Sequence, residues 1–280
     1  MLVDKHRKLV FQITSRGNMR RSTTTGAETA EVTGVRTVKS AERAILLLEY
    51  LSSAEEPRSL RDVAQDLEIP RASAYALLMT LVHRGWVEPD ATGSGFRLGI
   101  RALRVGASYV EHDDVVQRAH RVMDEMSQEW GETVHLARLD AHEIVYLATC
   151  ISRHSLAVVS RPGRRLPCWA TGLGKALLAE RPWEENDALL PEALSARTVN
   201  TFTDREALRD ELKSVQERGY AIDEQESTIG LRCFSVALDF GDGTAPKEAL
   251  SFSVPIVRLD PERERSLVAA LLDARERIVR

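Results

Sequence analysis

From Val38 onward apolar positions recur every three to four residues, interrupted by a short hairpin, and at Gly131 the pattern changes to alternation. From Val38 to Ser53, Ala41, Ala44, Ile45, Leu48 and Leu51 lie at helical spacing and predict a first helix. The pattern restarts twice between Ser59 and Arg84. Leu60, Val63, Ala64 and Leu67 share one face of a helix that Ser59 can cap and whose first turn carries Asp62. Glu68-Ile69-Pro70 breaks the period, and Ala74, Leu77, Leu78, Leu81 and Val82 resume it on a second helix. Pro70 suits its opening, because the missing N–H would find no partner in a first turn. Gly85 ends this helix. Trp86 to Glu88 then reads as a strand, Pro89 to Gly95 as a turn-rich tip and Phe96 to Leu98 as the returning strand of a wing.

Gly99 to Val110 predicts a connecting helix with Ile100, Leu103 and Ala107 on one stripe. Val115 to Trp130 predicts another, with Val115, Ala119, Val122, Met123 and Met126 inward. Beyond Gly131, Thr133–Leu139 and Glu143–Thr149 read as a β-hairpin turning at Asp140-Ala141-His142, and Ser155–Ser160 as a further strand. Helices follow around Leu173–Ala179, Trp183–Leu190 and Asp204–Arg218. Strands at Tyr220–Asp223, Cys233–Asp239 and Ala249–Val257 and a closing helix from Pro261 to Val279 complete an α+β domain, an antiparallel sheet with helices packed against it.

Composition narrows the function classes. The 280 residues have room for two domains, and 43% hydrophobic with 29% charged content is that of a soluble globular protein. No apolar run is long enough to span a bilayer, and charges stand where a signal peptide needs its apolar core, so the expected compartment is the cytoplasm, with no membrane partner. The net charge of −4 argues against a protein that simply coats nucleic acid. Its distribution is uneven: residues 1–97 hold 14 Lys and Arg against 12 Asp and Glu, whereas residues 98–280 hold 24 against 30. A localised DNA contact at one end, with an acidic body kept off the phosphates, fits this asymmetry. Residues 1–35 show no sustained apolar period and predict a disordered arm, within which Met19 is an alternative start. Cys150, Cys168 and Cys233 are widely spaced and indicate neither a disulfide framework nor a structural zinc site.

The helix beginning at Pro70 leaves Arg71, Ser73, Tyr75 and Ala76 on or near its outer side. Arg71 and Ser73 suit phosphate or base-edge contacts at the N-terminal end of a recognition helix, and Tyr75 offers a hydroxyl and a flat face. Taken alone, the two helices describe an all-α hairpin equally well. The wing decides for DNA, because it can set Arg97 and the tip backbone against phosphates flanking the groove. LEIPRASAYALLMTLVHRGWVEPD followed by FRLGIRALRVGASYV resembles the winged-helix domain of the IclR family of bacterial transcription regulators. Ala76 departs from that family, which usually carries a longer polar or basic residue there.

Three later segments hold residues that a buried sheet would not choose. In Arg161–Ala179, Thr171-Gly172-Leu173-Gly174-Lys175 leads into a helix, freeing N–H groups that favour an anion. Trp169 and Ala176 exclude a phosphate-binding P-loop, and Lys175 reads as a helix-surface charge. Gly219–Cys233 is the second segment. In the third, Ala249–Pro255, Ser251 and Ser253 share one strand face, where they bond either to neighbouring backbone or to a ligand. PGRRLPCWATGLGKALLA and GYAIDEQESTIGLRC resemble the IclR effector domain, a GAF-like fold, and the resemblance extends from Val35 to Val279. It implies a small organic acid held by Gly172, Leu173, Asp223, Cys233, Ser251 and Ser253, with Leu231, Leu166 and Val158 as an apolar wall. It also implies a winged helix-turn-helix over 36–98, a linker helix over 99–112 that helps form the dimer, and an effector domain over 113–280.

The expected function is therefore a repressor of a catabolic operon. Its partners are double-stranded operator DNA, a small organic acid effector and a second copy in a homodimer, with pairing of dimers left open and no cofactor. An activator answering to an aromatic or other acid is the alternative within the family. A metal-sensing regulator using His112, His120 and the cysteines is weakened by the eight-residue spacing of the histidines, which is poor for chelation. An enzyme using His135, His142, Glu143 and Cys233 lacks a nucleophile, base and orienting group in recognisable array.

Overall fold

Each predicted helix-turn-helix element forms around a small apolar centre near the start of the chain. The computed structural model describes residues 37–280 except 156 and 159; the arm expected over 1–35, with Met19, lies outside the described residues. The described residues divide into two units, 37–109 and 110–280.

The first unit runs α1 (Lys39–Ser53), β1 (Arg58–Ser59), α2 (Leu60–Asp66), α3 (Arg71–His83), β2 (Val87–Pro89), β3 (Gly95–Leu98) and most of α4 (Ile100–Glu111). Ser59 caps α2 as its position suggests: its Oγ accepts from Asp62 N at 3.2 Å, while Asp62 Oδ2 accepts from Ser59 N at 3.1 Å. Leu47, Leu51, Val63, Ile69, Ala74, Leu78, Val87 and Phe96 form the core. The inward stripe of α1 is set by Leu47 and Leu51, so Ile45, expected inside, is 57% exposed. The two-residue β1, unforeseen, pairs with β3, making a three-stranded sheet in the order β1-β3-β2. None of the residues of α4 is buried, including the stripe of Ile100, Leu103 and Ala107.

The second unit is built on a six-stranded antiparallel sheet in the order β6-β5-β4-β9-β8-β7. Its strands are β4 (Thr133–Asp140), β5 (Glu143–Cys150), β6 (Arg165–Pro167), β7 (Ala221–Glu224), β8 (Leu231–Leu238) and β9 (Glu248–Pro255). The helices are α5 (Asp114–Trp130), α6 (Gly172–Ala179), α7 (Trp183–Leu189), α8 (Arg205–Arg218) and α9 (Pro261–Val279). Alternation along the strands explains the layering. Val134, Leu136, Phe234, Val236, Leu250, Phe252 and Val254 face α5 and α9, whereas Ala137, Ala237 and Ala249 face α6 and α8, which pack closely on small residues. No described residue of Ser155–Ser160 lies in a strand, contrary to expectation. The outer edge of β5 is taken instead by the segment around Gly163: Gly163 N donates to Tyr146 O at 2.8 Å and Tyr146 N to Arg164 O at 3.0 Å, and β6 follows.

Candidate functional site

Helix α3 turns Ala74 and Leu78 into the core and leaves Arg71, Ala72, Tyr75, Ala76 and Thr80 exposed. Tyr75 is 54% exposed. Ser73 is half-buried, so Ala72 rather than Ser73 completes the open face. In the wing, Arg97 stands opposite Glu88 across β2 and β3 and pairs with it at 3.0 Å, with both side chains in solvent. Asp90 shapes the tip, its Oδ1 accepting from Thr92 N and Ser94 N at 3.1 Å each.

In the second unit, sheet register gathers polar side chains into two rows on the face turned toward α6. Residues directly opposite one another in antiparallel strands point to the same side. One row runs Asp223, Cys233, Ser253, Thr133; the next runs Ser235, Ser251, His135, Thr149. Ala221, opposite Ser235, ends the second row, and beyond it the same face becomes alanine at 237, 249 and 137. Asp223, Cys233 and Ser253 of the first row and Ser235 and Ser251 of the second border a cavity. Gly172, Leu173, Asp223, Leu231, Cys233, Ser251, Ser253, Val158 and Leu166 all line it. Sequence reasoning missed Tyr146, Arg164, Thr171, Ser227, Thr228 and Ser235. Ser235 had a signal, since it follows Cys233 by two on β8 just as Ser253 follows Ser251 on β9.

The N-terminus of α6 closes one side. Thr171 Oγ1 accepts from Gly174 N at 3.1 Å, and Thr171 O accepts from Lys175 N at 2.9 Å. The N–H groups of Gly172 and Leu173, in the first turn, have no acceptor within the helix. Close approach constrains both glycines, Gly174 against backbone and Gly172 against a side chain. A Cβ on Gly174 would stand 2.1 Å from Cys168 O, and one on Gly172 would stand 2.7 Å from Ser235 Oγ. Lys175, expected on the surface, is fully buried, with its ammonium 2.6 Å from Glu226 and 3.2 Å from Glu211.

Burial sets the protonation of Cys233 and Asp223 in the lining and of His135 in the second polar row. Cys233 is pushed well above the ordinary thiol range, so it stays a neutral thiol, 3.2 Å from Ser253 Oγ. Burial first, and then the charge of Arg164, lower His135 to about 3 and leave a neutral imidazole bonded to Thr149 Oγ1 at 3.0 Å. Asp223 is raised by burial, while its oxygens accept from Glu226 N at 2.7 Å, Ser227 N at 3.2 Å and Ser227 Oγ at 2.5 Å. Within the second polar row, Ser235 Oγ, Ser251 Oγ and His135 Nε2 are buried and lack a protein partner. An uncompensated buried hydroxyl costs about 1–3 kcal/mol, so such a group calls for a bound partner.

Among the described residues, this arrangement assembles no nucleophile with a base. Glu143 is engaged by Arg165 at 2.6 Å, and His142 stacks near Trp169. Among the described residues, no group of three or more His, Cys, Asp and Glu is placed to hold a metal ion. His120 instead meets Asp124 at 3.3 Å one helical turn away.

Residues 107–280 match the family model described as the bacterial transcriptional regulator IclR C-terminal domain, and residues 40–91 match the IclR helix-turn-helix domain. The chain belongs to the IclR family. It is 30% identical over 253 residues to the transcriptional repressor IclR of Escherichia coli (strain K12), covering 89% of this chain and 91% of that one. It is 29% identical to the acetate operon repressor of Salmonella typhimurium over 90% of its own length and 92% of the relative's. A solved structure of a transcriptional regulator from Rhodococcus sp. RHA1 aligns with a TM-score of 0.73 at 29% identity, covering 87% of this chain and 97% of that one. As an IclR-family member the chain is a DNA-binding transcription regulator, which sets aside the enzyme reading. No helix among the described residues is long and apolar enough to cross a membrane.

Proposed function

We propose that this regulator represses a catabolic operon in the cytoplasm and releases its operator when a small organic acid occupies the cavity beside α6. The observation that carries this reading is the pair of buried, unpartnered hydroxyls of Ser235 and Ser251 facing the first turn of α6. Backbone N–H groups at a helix N-terminus suit a carboxylate, and the hydroxyls suit its oxygen substituents. Leu166, Leu173, Leu231 and Val158 form an apolar wall that limits the size of the acid. Two relatives that cover most of the chain are repressors by name, one of them of the acetate operon.

On the DNA side, Arg71, Ser73, Tyr75 and Ala76 of α3 enter a major groove while Arg97 and the wing tip meet the flanking backbone. Arg97 exchanges Glu88 for phosphate at little cost, because an exposed ion pair contributes at most about 1 kcal/mol. Ile45 and Leu46 of α1 and Ile100 and Leu103 of α4 are exposed apolar residues suited to a homodimer contact. Such a dimer sets two recognition helices about 34–36 Å apart on a pseudo-palindromic site. The acid acts by binding the DNA-competent and DNA-incompetent arrangements with different affinities.

The test is binding of the purified protein to DNA from upstream of its own gene, titrated with short 2-oxo and 2-hydroxy acids. Saturable release by one of them supports the reading. Binding unaffected by every acid that shifts the melting temperature contradicts it.

A further inference from the structure

Among the described residues, the cavity lining contains one basic side chain, Arg164, and no carboxylate pairs with it. Arg164 follows the Gly163 turn, where its carbonyl accepts from Tyr146 N at 3.0 Å and its N–H donates to Arg161 O at 3.2 Å. Neighbouring arginines in the same domain are engaged by acids. Arg165 meets Asp140 at 2.8 Å and Glu143 at 2.6 Å, Arg138 meets Asp113 at 2.6 Å, and Arg232 meets Glu264 at 2.6 Å. Among the described residues, Arg164 has no such carboxylate. Asp223, the acid in the lining, is taken by the turn that follows it, its two oxygens accepting from two backbone N–H groups and the Ser227 hydroxyl.

A second cation, Arg197, lies within the field of Arg164. Arg197 meets no carboxylate among the described residues; its Nε donates to Ser227 O at 3.4 Å, on the loop that borders the cavity. Burial, and then the like charge of Arg164, hold its guanidinium below the ordinary arginine range. The field of Arg164 reaches inward as well, where it disfavours the charged form of His135. The repulsion between Arg164, in the lining, and Arg197 is a cost that a bound anion reduces.

We propose that the cavity takes a short acid with two anionic groups, one carboxylate at the first turn of α6 and the second on the guanidinium of Arg164. This rests on the acid-binding reading above and specifies the class of acid. A monocarboxylate fills the inner end and leaves Arg164 unanswered, whereas a dicarboxylate engages both. The hydroxyls of Ser235 and Ser251 are left for an oxygen substituent between the two ends. Arg164 is in this sense the residue that sets specificity, because a planar, permanently charged fork is suited to bidentate carboxylate recognition.

Calorimetric titration of the full chain with matched pairs, lactate against malate and propionate against succinate, tests this. The wild type is expected to bind the dicarboxylate of each pair about ten- to hundredfold more tightly, the range for a charge-assisted contact. Arg164→Ala is expected to remove that preference while holding the monocarboxylate within about twofold, and Arg164→Lys to keep part of it as a point charge. Circular dichroism melts check that the variants fold. Equal affinity for the two members of each pair, or an equal loss for both in Arg164→Ala, overturns the dicarboxylate assignment and leaves the acid-binding reading standing. Absence of binding by all four acids overturns both.

Discussion

The ammonium of Lys175 and the carboxylate of Glu226 meet at 2.6 Å with both side chains buried. Lys175 lies one residue past the glycines of α6, and Glu226 lies on the loop carrying Ser227 and Thr228, so the contact joins two borders of the cavity. Thr198 and Thr201 fasten the same loop through bonds to Glu226 O at 3.2 and 2.7 Å. Lys175→Met leaves the carboxylate buried without its cation, and the expected cost at pH 8 is about 3–5 kcal/mol. Urea unfolding measures it; a loss below about 1 kcal/mol would show that the pair does not hold the loop.

The same carboxylate makes stability depend on pH. Burial, outweighing the attraction of Lys175, pushes Glu226 up to about 7 from 4.5. Between those values the folded protein keeps a proton that the unfolded chain has released, so the contribution of Glu226 to stability is complete below pH 4.5 and declines as pH rises through about 7. The unfolding free energy of the wild type, taken relative to Glu226→Gln, is therefore expected to fall between pH 5 and pH 8. Parallel curves for the two proteins would refute this.

Gly172→Ala is expected to fold and to lose its ligand response. The added Cβ meets Ser235 Oγ, a hydroxyl that can rotate away but then occupies the cavity. The stability loss should stay near about 1–2 kcal/mol, within the range for modest overpacking. Gly174→Ala, in contrast, meets the backbone oxygen of Cys168 and should be far more damaging. Melting curves for both, with acid titration of the first, decide it; a normal response in Gly172→Ala would move the ligand elsewhere.

Local pattern made the helix-turn-helix, the wing and most of the second-domain elements legible, because capping, period and turn residues all act within a few positions. Ser251 and Ser253 were legible as a pair for the same reason, and the register confirms that they share a face with Cys233 and Ser235. What stayed hidden depends on distant partners. Lys175 reads as a surface charge until Glu226, 51 residues on, is folded against it. Arg164 and Arg165 are alike in sequence, and only the fold pairs Arg165 with Asp140 and Glu143 and leaves Arg164 without an acid among the described residues. Ser155–Ser160 carries strand-forming residues, yet it is the segment around Gly163 that bonds to Tyr146 on β5. On α1, the choice between Ile45 and Leu47 for the inward stripe is a matter of helical phase that the core decides.

Arg71→Ala should weaken operator binding without affecting folding, since Arg71 is exposed at the start of α3. Removing an arginine that reaches a base edge or a phosphate costs about 1–3 kcal/mol of binding free energy. Fluorescence anisotropy on labelled operator at moderate salt measures it, and unchanged affinity would remove Arg71 from the DNA-facing surface.

An acid in the cavity is held to control the grip on DNA. The most direct test is operator release by a responsive acid, compared between the wild type and the variant carrying both Ser251→Ala and Ser253→Ala. The expected result is operator affinity within about twofold of wild type without acid, and no release at acid concentrations that free the wild type completely. Release of the variant at the same concentrations would contradict the account.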